Sequence, residues 1–455
     1  MAIRRLFVAN RGEIALRVVR AAQALNIETV VGVSAADTES AAAKLADRAV
    51  VLGPGPASKS YLDARLVVHA ARETGCDALH PGYGFLSERA ILPRLCGQHG
   101  IGFVGPEADM IDALGDKLRA RAMAAAAGVP LVPGSDEIAS AADARREADR
   151  IGYPVLLKAS AGGGGRGMVI AHNGDEVEAG FHKASAEAMA AFNDGTLFME
   201  RFVGRARHVE VQLMGDGNGK VLHFGERDCS VQRRYQKLIE EAPCAAMPDA
   251  LRAQLHTSAT ALAASVNYRN AGTAEFLYDV ERQEIYFIEV NARIQVEHPV
   301  SEMVTGQDLV GWQLRIAGGE PLALEQDDIR VSGHAIECRI NAEDPALDFR
   351  PSPGRITRWS PPGGEGIRLD THMSEGATIP PYYDSMIGKL IVTGDTRAQA
   401  IERLSAALAD FRVEGVPTTI GLHREIVSHP DFVANTIHTR WLEQTLLPGL
   451  AIAAE

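Results

Sequence analysis

An alternation of apolar runs and helical spacing at the amino terminus restricts the fold of this chain more than any other feature. Residues 3–9 and 28–34 are short runs of apolar, often β-branched side chains, which are typical of strands. Between them, apolar residues from Ile14 to Ala21 recur at helical spacing. Two strands joined by one helix predict a parallel, doubly wound α/β sheet with helices on its faces.

The remainder of the chain predicts two further kinds of structure. Residues 105–134 predict one helix, stopped by Gly128 and followed by a proline-broken linker, and we place the first boundary there. From residue 153 onward, strand, glycine loop, return strand, helix and strand predict a small α+β unit. From about residue 205, repeated strand-like runs predict a larger antiparallel sheet.

Charge and cysteine content exclude several classes of protein. The 455 residues carry a formal net charge of −13, so the chain is a poor candidate for binding nucleic acid. No apolar run approaches the ~20 residues of a membrane span, and polar residues from Asn10 onward make the first run too short for a signal peptide. Five cysteines without a CxxC pair favour reduced thiols in a cytoplasmic protein.

A glycine-rich stretch at residues 162–167 follows Lys158 by four positions. Glycine lets backbone N–H groups face an anion, and the lysine adds a cation, so the pattern suits a lid over nucleotide phosphates. The stretch lacks the GK[ST] ending of a P-loop and opens no helix, which excludes both common nucleotide fingerprints. A flexible hairpin without a ligand is the alternative.

A second pattern predicts that two glutamates face each other. Strand-like runs on both sides of Arg282 predict a hairpin that pairs Glu275 with Glu289, with Asn291 on the same face. Two carboxylates about 5 Å apart repel by roughly 3 kcal/mol at an effective dielectric constant near 20. Mg²⁺ or Mn²⁺ would turn this repulsion into attraction. A solvated surface pair or a shifted register is the alternative.

Two charged segments add candidates for anion chemistry. Directly after the hairpin, Arg293 has the planar fork that binds small oxyanions, and Glu297 suits a general base. A plain salt bridge between them is the alternative. Residues 226–243 carry several cations in an acidic chain and predict either a local positive site for anionic substrates or a solvated charged segment: Arg227, Arg233, Arg234 and Lys237.

Together these motifs resemble biotin carboxylase, the ATP-grasp component of biotin-dependent carboxylases. The matching strings run in order over nearly the whole chain: ANRGEIALRVVRAA (9–22), SYLD (60–63), HPGYGFLSE (80–88), KASAGGGGRGM (158–168), HVEVQ (208–212), ERDCSVQRR (226–234), EVNARIQVEHPVSEMVTG (289–306) and YYDSMIGKL (382–390). A match of this breadth is far more specific than a lone glycine motif.

The resemblance implies a fold that mixes α/β and α+β parts. Its expected parts are a Rossmann-like amino-terminal domain (1–114), a helical linker (115–134), an ATP-grasp domain with a mobile glycine-rich lid (135–204) and a catalytic core (205–330), and a carboxyl-terminal biotin-carboxylase domain with an antiparallel sheet (331–455). The implied reaction uses ATP and bicarbonate to form carboxyphosphate, and biotin is then carboxylated at its ureido nitrogen.

The family's residue roles transfer to named positions. The nucleotide positions are Lys117, Lys158, Gly164, Gly165, Glu200, Arg201, Phe202, Val203, His208 and Tyr235. The metal positions are Glu275, Glu289 and Asn291, in agreement with the hairpin pairing. The bicarbonate positions are Lys237, Arg293, Gln295, Val296 and the base Glu297. The biotin positions are Arg339, which steadies the enolate, and Tyr83, which lines the pocket.

The chain departs from the family pattern at positions that hold no assigned catalytic group. They are Ala161 for glycine, Arg201 for lysine, Tyr235 for histidine, Ala292 for threonine and Arg89 for asparagine. Two of them, Arg201 and Tyr235, are at positions where the resemblance implies contacts with adenine and ribose.

The resemblance also implies partners, because the sequence has no AMKM-like biotinyl-lysine motif. We expect biotin on a separate carboxyl carrier protein, a separate carboxyltransferase, a homodimer, and a role in acetyl-CoA carboxylase that feeds fatty-acid synthesis. A propionyl-, methylcrotonyl- or pyruvate-type carboxylase is the alternative acceptor system. Another ATP-grasp ligase and a catalytically inactive scaffold subunit are the other hypotheses.

Overall fold

The computed structural model describes residues 2–160 and 168–449, so Gly164, Gly165 and Ala161 lie outside the described residues. The amino-terminal unit contains β1 (Arg5–Val8), α1 (Gly12–Ala24), β2 (Glu28–Ser34), α2 (Ala41–Leu45), β3 (Arg48–Gly53), α3 (Ala64–Glu73), β4 (Ala78–His80), α4 (Ile91–Gln98), β5 (Gly102–Phe103) and α5 (Ala108–Gly115). Its strands form a parallel sheet in the order β3-β2-β1-β4-β5, which confirms the predicted doubly wound unit.

The single helix predicted over residues 105–134 is wrong, because the segment forms α5 and a separate helix α6 (Lys117–Ala126). Asp116 separates them with an extended backbone (φ −85°, ψ 111°), and its carboxylate accepts a hydrogen bond from the Arg119 N–H. An aspartate in this position starts a new helix. Lys117 is therefore the first residue of α6, and Arg121 follows one turn later.

The lid unit is small and has its own core. It contains α7 (Ala141–Ile151), β6 (Val155–Ala159), β7 (Met168–Ala171), α8 (Gly174–Phe192) and β8 (Leu197–Arg201), with the strands in the antiparallel order β7-β6-β8. Val155 and Leu157 are buried in this core, whereas Lys158 alternates to the opposite face of β6. The predicted α+β unit is confirmed.

The remaining elements follow in chain order. Up to residue 317 they are β9 (Ala206–Asp216), β10 (Val221–Arg233), β11 (Gln236–Ala242), α9 (Asp249–Ser265), β12 (Arg269–Asp279), β13 (Glu284–Asn291), α10 (His298–Thr305) and α11 (Leu309–Ala317). After it they are β14 (His334–Asn341), β15 (Glu343–Asp344), β16 (Arg350–Pro351), β17 (Gly354–Arg355), β18 (Arg358–Ser360), β19 (Ile367–Thr371), β20 (Thr378–Ile379), β21 (Met386–Gly394), α12 (Arg397–Asp410), β22 (Arg412–Glu414), α13 (Ile420–Ser428) and α14 (Pro430–Val433).

One eight-stranded antiparallel sheet organises this part of the molecule, as predicted. Its strand order is β13-β12-β9-β10-β11-β14-β21-β19, so β11 and β14 join the segments before and after residue 331 in a single sheet. This pairing brings Lys237 on β11 and Arg339 on β14 to adjacent strands. No described helix is long and apolar enough to cross a membrane.

The hairpin of β12 and β13 has the predicted pairing where the candidate metal ligands lie. Glu275 is directly opposite Glu289. A bulge between Glu275 and Phe276 then shifts the register, so Phe276 pairs with Phe287 nearer the turn. The two glutamates share one face of the sheet, as cross-strand partners do.

Candidate active site

Glu297 lies directly before α10 and has no exposed surface. Its Oε1 atom accepts a hydrogen bond from Lys237 Nζ at 2.6 Å, and its Oε2 atom accepts one from Arg339 Nη2 at 2.9 Å. Burial acts to raise the pKa of Glu297, but the charges of Lys237 and Arg339 outweigh it and hold the pKa well below its usual range. The site therefore contains an ionised carboxylate clamped between two cations.

Lys237 connects this carboxylate to two others. Its Nζ atom lies 2.5 Å from Glu210 and 3.2 Å from Glu275, in addition to Glu297. Burial acts to lower the pKa of Lys237, but the surrounding negative groups raise it well above its usual range. Glu210 is a site residue that the sequence analysis missed. Its signal is the alternation of β9, which places it two residues after His208 on the same face.

The two candidate metal-ligating glutamates differ in their partners. Glu275 accepts hydrogen bonds from Asn291 Nδ2 at 2.7 Å and Gln295 Nε2 at 3.3 Å, and its Oε2 atom lies 3.0 Å from His208 Nε2. Glu289 makes no such contact with a described side chain, and burial together with the charge of Glu275 raises its pKa. A divalent cation between two such carboxylates would relieve their repulsion, and oxygen donors of this kind fit Mg²⁺.

A second group of side chains could also hold a metal ion. Side-chain donor atoms of His208, Glu210 and Glu275 all lie within 4.8 Å of one another. His208 thus lies beside Glu275, one of the two candidate metal ligands, whereas the resemblance implied a nucleotide contact for it. Lys237 contacts two members of this group, so its ammonium already supplies positive charge there.

Arg293 is held by three side-chain acceptors, and by the Ile294 carbonyl at 3.3 Å, at the start of the loop after β13. Its guanidinium donates to Glu88 Oε2 at 2.8 Å, Gln295 Oε1 at 2.7 Å and Asn291 Oδ1 at 3.0 Å. The alternative of an Arg293–Glu297 salt bridge is therefore wrong. Glu88, which sequence analysis did not single out, comes from the amino-terminal unit and ties that unit to the site.

Lys389 on β21 supports the loop that carries Glu297. Its Nζ atom donates to the Val296 carbonyl at 2.8 Å and lies 3.0 Å from Glu13 Oε1. Tyr83, whose hydroxyl donates to Glu13, has its ring centre 6.0 Å from the same Nζ atom. Tyr83 and Val296 are thus joined through one fully buried lysine that sequence analysis missed.

The local positive patch predicted for residues 226–243 does not form, because all three arginines are paired with acidic residues. Arg227 is fully buried and donates to Glu210 at 2.6 Å. Arg233 and Arg234 both pair with Asp348, which lies far away in the sequence. Of the four cations predicted there, Lys237 alone contacts Glu297 among the described residues.

Of the two predicted phosphate-binding lysines, Lys158 contacts Glu200 and Lys117 has no ion-pair partner among the described residues. Lys158 Nζ donates to Glu200 Oε2 at 2.8 Å, and Arg121 pairs with the other oxygen of the same carboxylate. Burial lowers the pKa of Lys117, with Lys158 adding to the effect and the charge of Glu289 opposing it. Arg121 was missed, although it follows Lys117 by one helical turn and so shares its face.

In the segment after Glu200, where adenine is expected to bind, several groups already form hydrogen bonds within the protein. The N–H groups of Arg201 and Phe202 donate to the carbonyls of Pro133 and Pro154 at 2.8 and 2.9 Å. The Arg201 side chain donates to the Tyr286 hydroxyl. Two other predicted contacts, Val203 and Tyr235, are half-buried and 61% exposed respectively, with Tyr235 at the turn between β10 and β11.

Comparisons with known proteins cover nearly the whole chain. Three family models match: the biotin carboxylase N-terminal domain over residues 2–111, the ATP-binding domain of the carbamoyl-phosphate synthase L chain over residues 116–325, and the biotin carboxylase C-terminal domain over residues 337–444. A Nostoc sp. biotin carboxylase is 49% identical over 441 residues, which is 97% of this chain and 98% of the relative.

Two solved structures share the fold. A biotin carboxylase from Campylobacter jejuni in complex with β-γ-ATP has a TM-score of 0.93 at 44% identity, covering 97% of this chain and 99% of that one. The biotin carboxylase domain dimer of the Hydrogenobacter thermophilus 2-oxoglutarate carboxylase, in complex with MgADP, ADP and bicarbonate, has a TM-score of 0.92 at 47% identity and covers 98% of both chains. This chain therefore belongs to the biotin carboxylase family of ATP-grasp enzymes.

Proposed function

We propose that this enzyme uses ATP and bicarbonate to carboxylate biotin carried by a separate protein, through carboxyphosphate. The observation that carries the proposal is the buried, ionised Glu297 clamped between Lys237 and Arg339. A base for bicarbonate must be ionised and must lie next to cations that attract the substrate anion.

Substrate binding would change the basicity of Glu297. A bicarbonate oxygen that accepts hydrogen bonds from Lys237 and Arg339 would take over part of their charge, so the pKa of Glu297 would rise towards the range of a useful base. Glu297 then takes the bicarbonate proton, and the resulting carbonate attacks the γ-phosphorus of ATP to give carboxyphosphate and ADP. Arg293, Gln295 and the Val296 backbone complete the proposed bicarbonate site.

The nucleotide lies next to this site in our proposal. Glu275, Glu289 and Asn291 would hold Mg²⁺ or Mn²⁺, which neutralises charge on the phosphates when bound. Lys117 and Lys158 would bind the phosphates. The remaining proposed nucleotide contacts, of which two lie outside the described residues, are Gly164, Gly165, Glu200, Arg201, Phe202, Val203, His208 and Tyr235.

Biotin would bind on the Arg339 side of Glu297. The Arg339 guanidinium would stabilise the enolate form of the ureido group, and Tyr83 would line the pocket. Arg339 Nη2 lies 2.9 Å from Glu297 Oε2, which supports adjacent bicarbonate and biotin positions. Carbon dioxide released from carboxyphosphate would then travel only a short distance. Exclusion of water there protects carboxyphosphate from hydrolysis.

The wider setting is also a proposal. We propose a biotin carboxyl carrier protein and a carboxyltransferase as partners, a homodimer, and a role in acetyl-CoA carboxylase and fatty-acid synthesis. A pyruvate-, propionyl- or methylcrotonyl-type system is the second candidate. Its pyruvate type is supported by the similarity to the biotin carboxylase subunit of a pyruvate carboxylase, which is 47% identical and covers 97% of this chain. Five buried, unpaired cysteines support a cytoplasmic location.

Phosphate release from MgATP, measured with bicarbonate and with or without free biotin, tests the proposal. We expect biotin to stimulate the release, and Glu297→Gln to abolish the stimulation. The matched control is Glu375→Gln, which changes an exposed glutamate. Equal ATP cleavage with and without biotin would contradict the proposal and favour another ATP-grasp ligase, which a screen of other carboxylates would then identify.

A further inference from the structure

Two buried carboxyl groups outside the proposed catalytic set lie opposite each other. Glu240 on β11 and Glu337 on β14 are direct cross-strand partners, so their side chains leave the sheet on the same face. Neither residue has any exposed surface. Helix α10 packs over this part of β11 and β14, with Val300 and Val304 in an apolar cluster there.

Hydrogen bonding in this pair is incomplete. Glu240 Oε1 accepts a hydrogen bond from Arg339 Nε at 2.6 Å. Among the described residues, no group donates to Glu240 Oε2 or to either oxygen of Glu337. An ionised carboxylate buried without donors costs several kcal/mol. A neutral carboxylic acid avoids this cost and becomes a hydrogen-bond donor.

The burial and the charges around Glu240 and Glu337 indicate that the two carboxyl groups together bind one proton. Burial raises the pKa of Glu337 well above its usual range, and the charge of Glu240 adds to this against Lys389 and Arg339. Burial also raises the pKa of Glu240 to about 7, with the charge of Glu297 adding to it. Two adjacent buried carboxyl groups that both resist ionisation behave as a pair that shares a proton.

We propose that Glu337 is a neutral carboxylic acid that donates its proton in a hydrogen bond to Oε2 of Glu240, and so fixes Arg339 against Glu297. The chain of contacts runs from Glu337 through Glu240 to Arg339 Nε, and from Arg339 Nη2 to Glu297. Glu337 touches no proposed substrate position, so it is a positioning residue. The proton stays on the pair throughout the reaction.

This inference rests on the proposed function for its kinetic test, whereas its spectroscopic test is independent of activity. The carbonyl stretch of a neutral carboxylic acid is separate from carboxylate bands in the infrared spectrum and shifts in D2O. We expect the wild type minus Glu337→Gln difference spectrum of the full chain to contain such a band. The matched control is Glu241→Gln on the other face of β11, where hydrogen bonds from His334 and Arg397 outweigh burial and lower the pKa to about 2.

The wild type minus Glu241→Gln difference spectrum should contain no neutral-acid band, because Glu241 is ionised. A Glu337→Gln difference spectrum without the band would overturn the inference. If wild-type enzyme shows the band but no biotin-dependent ATP cleavage, the proposed function fails while the inference stands.

Kinetics of two substitutions test the positioning role. Glu337→Gln keeps a hydrogen-bond donor without a charge, so we expect kcat within about twofold of wild type. Glu337→Met removes the donor at similar length, and we expect kcat for biotin-dependent phosphate release to fall at least about tenfold, with KM for ATP unchanged. Wild-type kcat in Glu337→Met, or an equal loss in both folded variants, would overturn the positioning role.

Discussion

The two ends of the proposed site hold their charges in different ways. At the bicarbonate end, defined by Lys237, Glu297 and Arg339, Lys237 alone contacts three carboxylates. At the nucleotide end, defined by Lys117, Lys158 and Glu200, Lys158 has one carboxylate partner, Glu200. At the first end, Lys237 and Arg339 lie on the eight-stranded sheet and Glu297 lies directly before α10. The second end lies on α6 and the three-stranded lid sheet.

The two ends also differ in the size of their supporting cores. The large sheet packs against one large cluster of buried apolar residues. The lid unit encloses two small clusters, one around Val155 and one around Ala184. Small cores open locally at lower free-energy cost than large ones. We therefore regard the bicarbonate end as organised before substrate binds, which suits stabilisation of developing charge. We expect the nucleotide end to gain its order from the ligand.

The largest expected effect compares one carboxylate from each end. Glu297→Gln removes the proposed base and should lower the biotin-dependent rate by roughly 10²–10⁴-fold. Glu200→Gln keeps the shape of a proposed nucleotide contact whose carboxylate pairs with Lys158 and Arg121, and at saturating ATP should cost about tenfold or less. Initial rates at saturating ATP and bicarbonate decide this. An equal loss in both variants would remove the distinction between the ends.

The second effect concerns stability. Lys237→Met leaves three buried carboxylates without their common cation, and should lower the free energy of unfolding by about 3–5 kcal/mol. Lys158→Met removes one partly exposed ion pair and should cost about 1 kcal/mol or less. Urea unfolding of both variants measures the difference. Similar midpoints for the two would show that the ends are equally organised.

The third effect concerns the metal ligands between the ends. Glu289→Gln should raise the Mg²⁺ concentration needed for half-maximal rate at least about tenfold, because it removes one of two facing carboxylates. The control is Glu284→Gln at the exposed, opposite end of the same strand, which should leave this concentration unchanged. If Glu289→Gln has no effect, the alternative group of His208, Glu210 and Glu275 becomes the better metal candidate.

The smallest effect tests a carboxylate on the far face of the bicarbonate end's sheet. The pKa of Glu241 is about 2 in the folded protein, because hydrogen bonds from His334 and Arg397 outweigh burial. The unfolded pKa of a glutamate is about 4.3. Because the folded pKa is lower, the ionised Glu241 stabilises the folded protein fully above pH 4.3, and this contribution is lost as the pH falls towards 2. Glu241→Gln should thus be less stable than wild type at pH 7, by a margin that shrinks towards pH 3. Thermal unfolding at both pH values measures it, and a constant margin would contradict the assignment.

Sequence patterns with a short period predicted the secondary structure and the local strand pairing well. Contacts between segments that are distant in the sequence were not predicted. The period of two in strands was enough to pair Glu275 with Glu289, although the bulge beside Glu275 leaves no sequence signal. The positive patch failed because Asp348, the partner of Arg233 and Arg234, is more than a hundred residues away. Charge composition cannot show which cations are already paired.

The same limit explains the missed site residues. Glu88 reaches Arg293 from the amino-terminal unit, and Lys389 reaches Val296 from β21. Both lie inside strings that carried the family resemblance, but only the folded chain assigns them contacts. Arg121 was accessible to reasoning, since it follows Lys117 by one turn, yet the predicted continuous helix hid the start of α6 at Lys117.

Hydrogen exchange of the backbone amides tests the contrast between the two ends most directly. Without ligands, we expect the amides of β11 and β14, which carry Lys237 and Arg339, to exchange slowly and those of β6 and β8 to exchange faster. Addition of MgATP should slow exchange in β6 and β8 and leave β11 and β14 unchanged. Equal protection of all four strands before nucleotide is added would contradict an organised bicarbonate end beside a nucleotide end that its ligand orders.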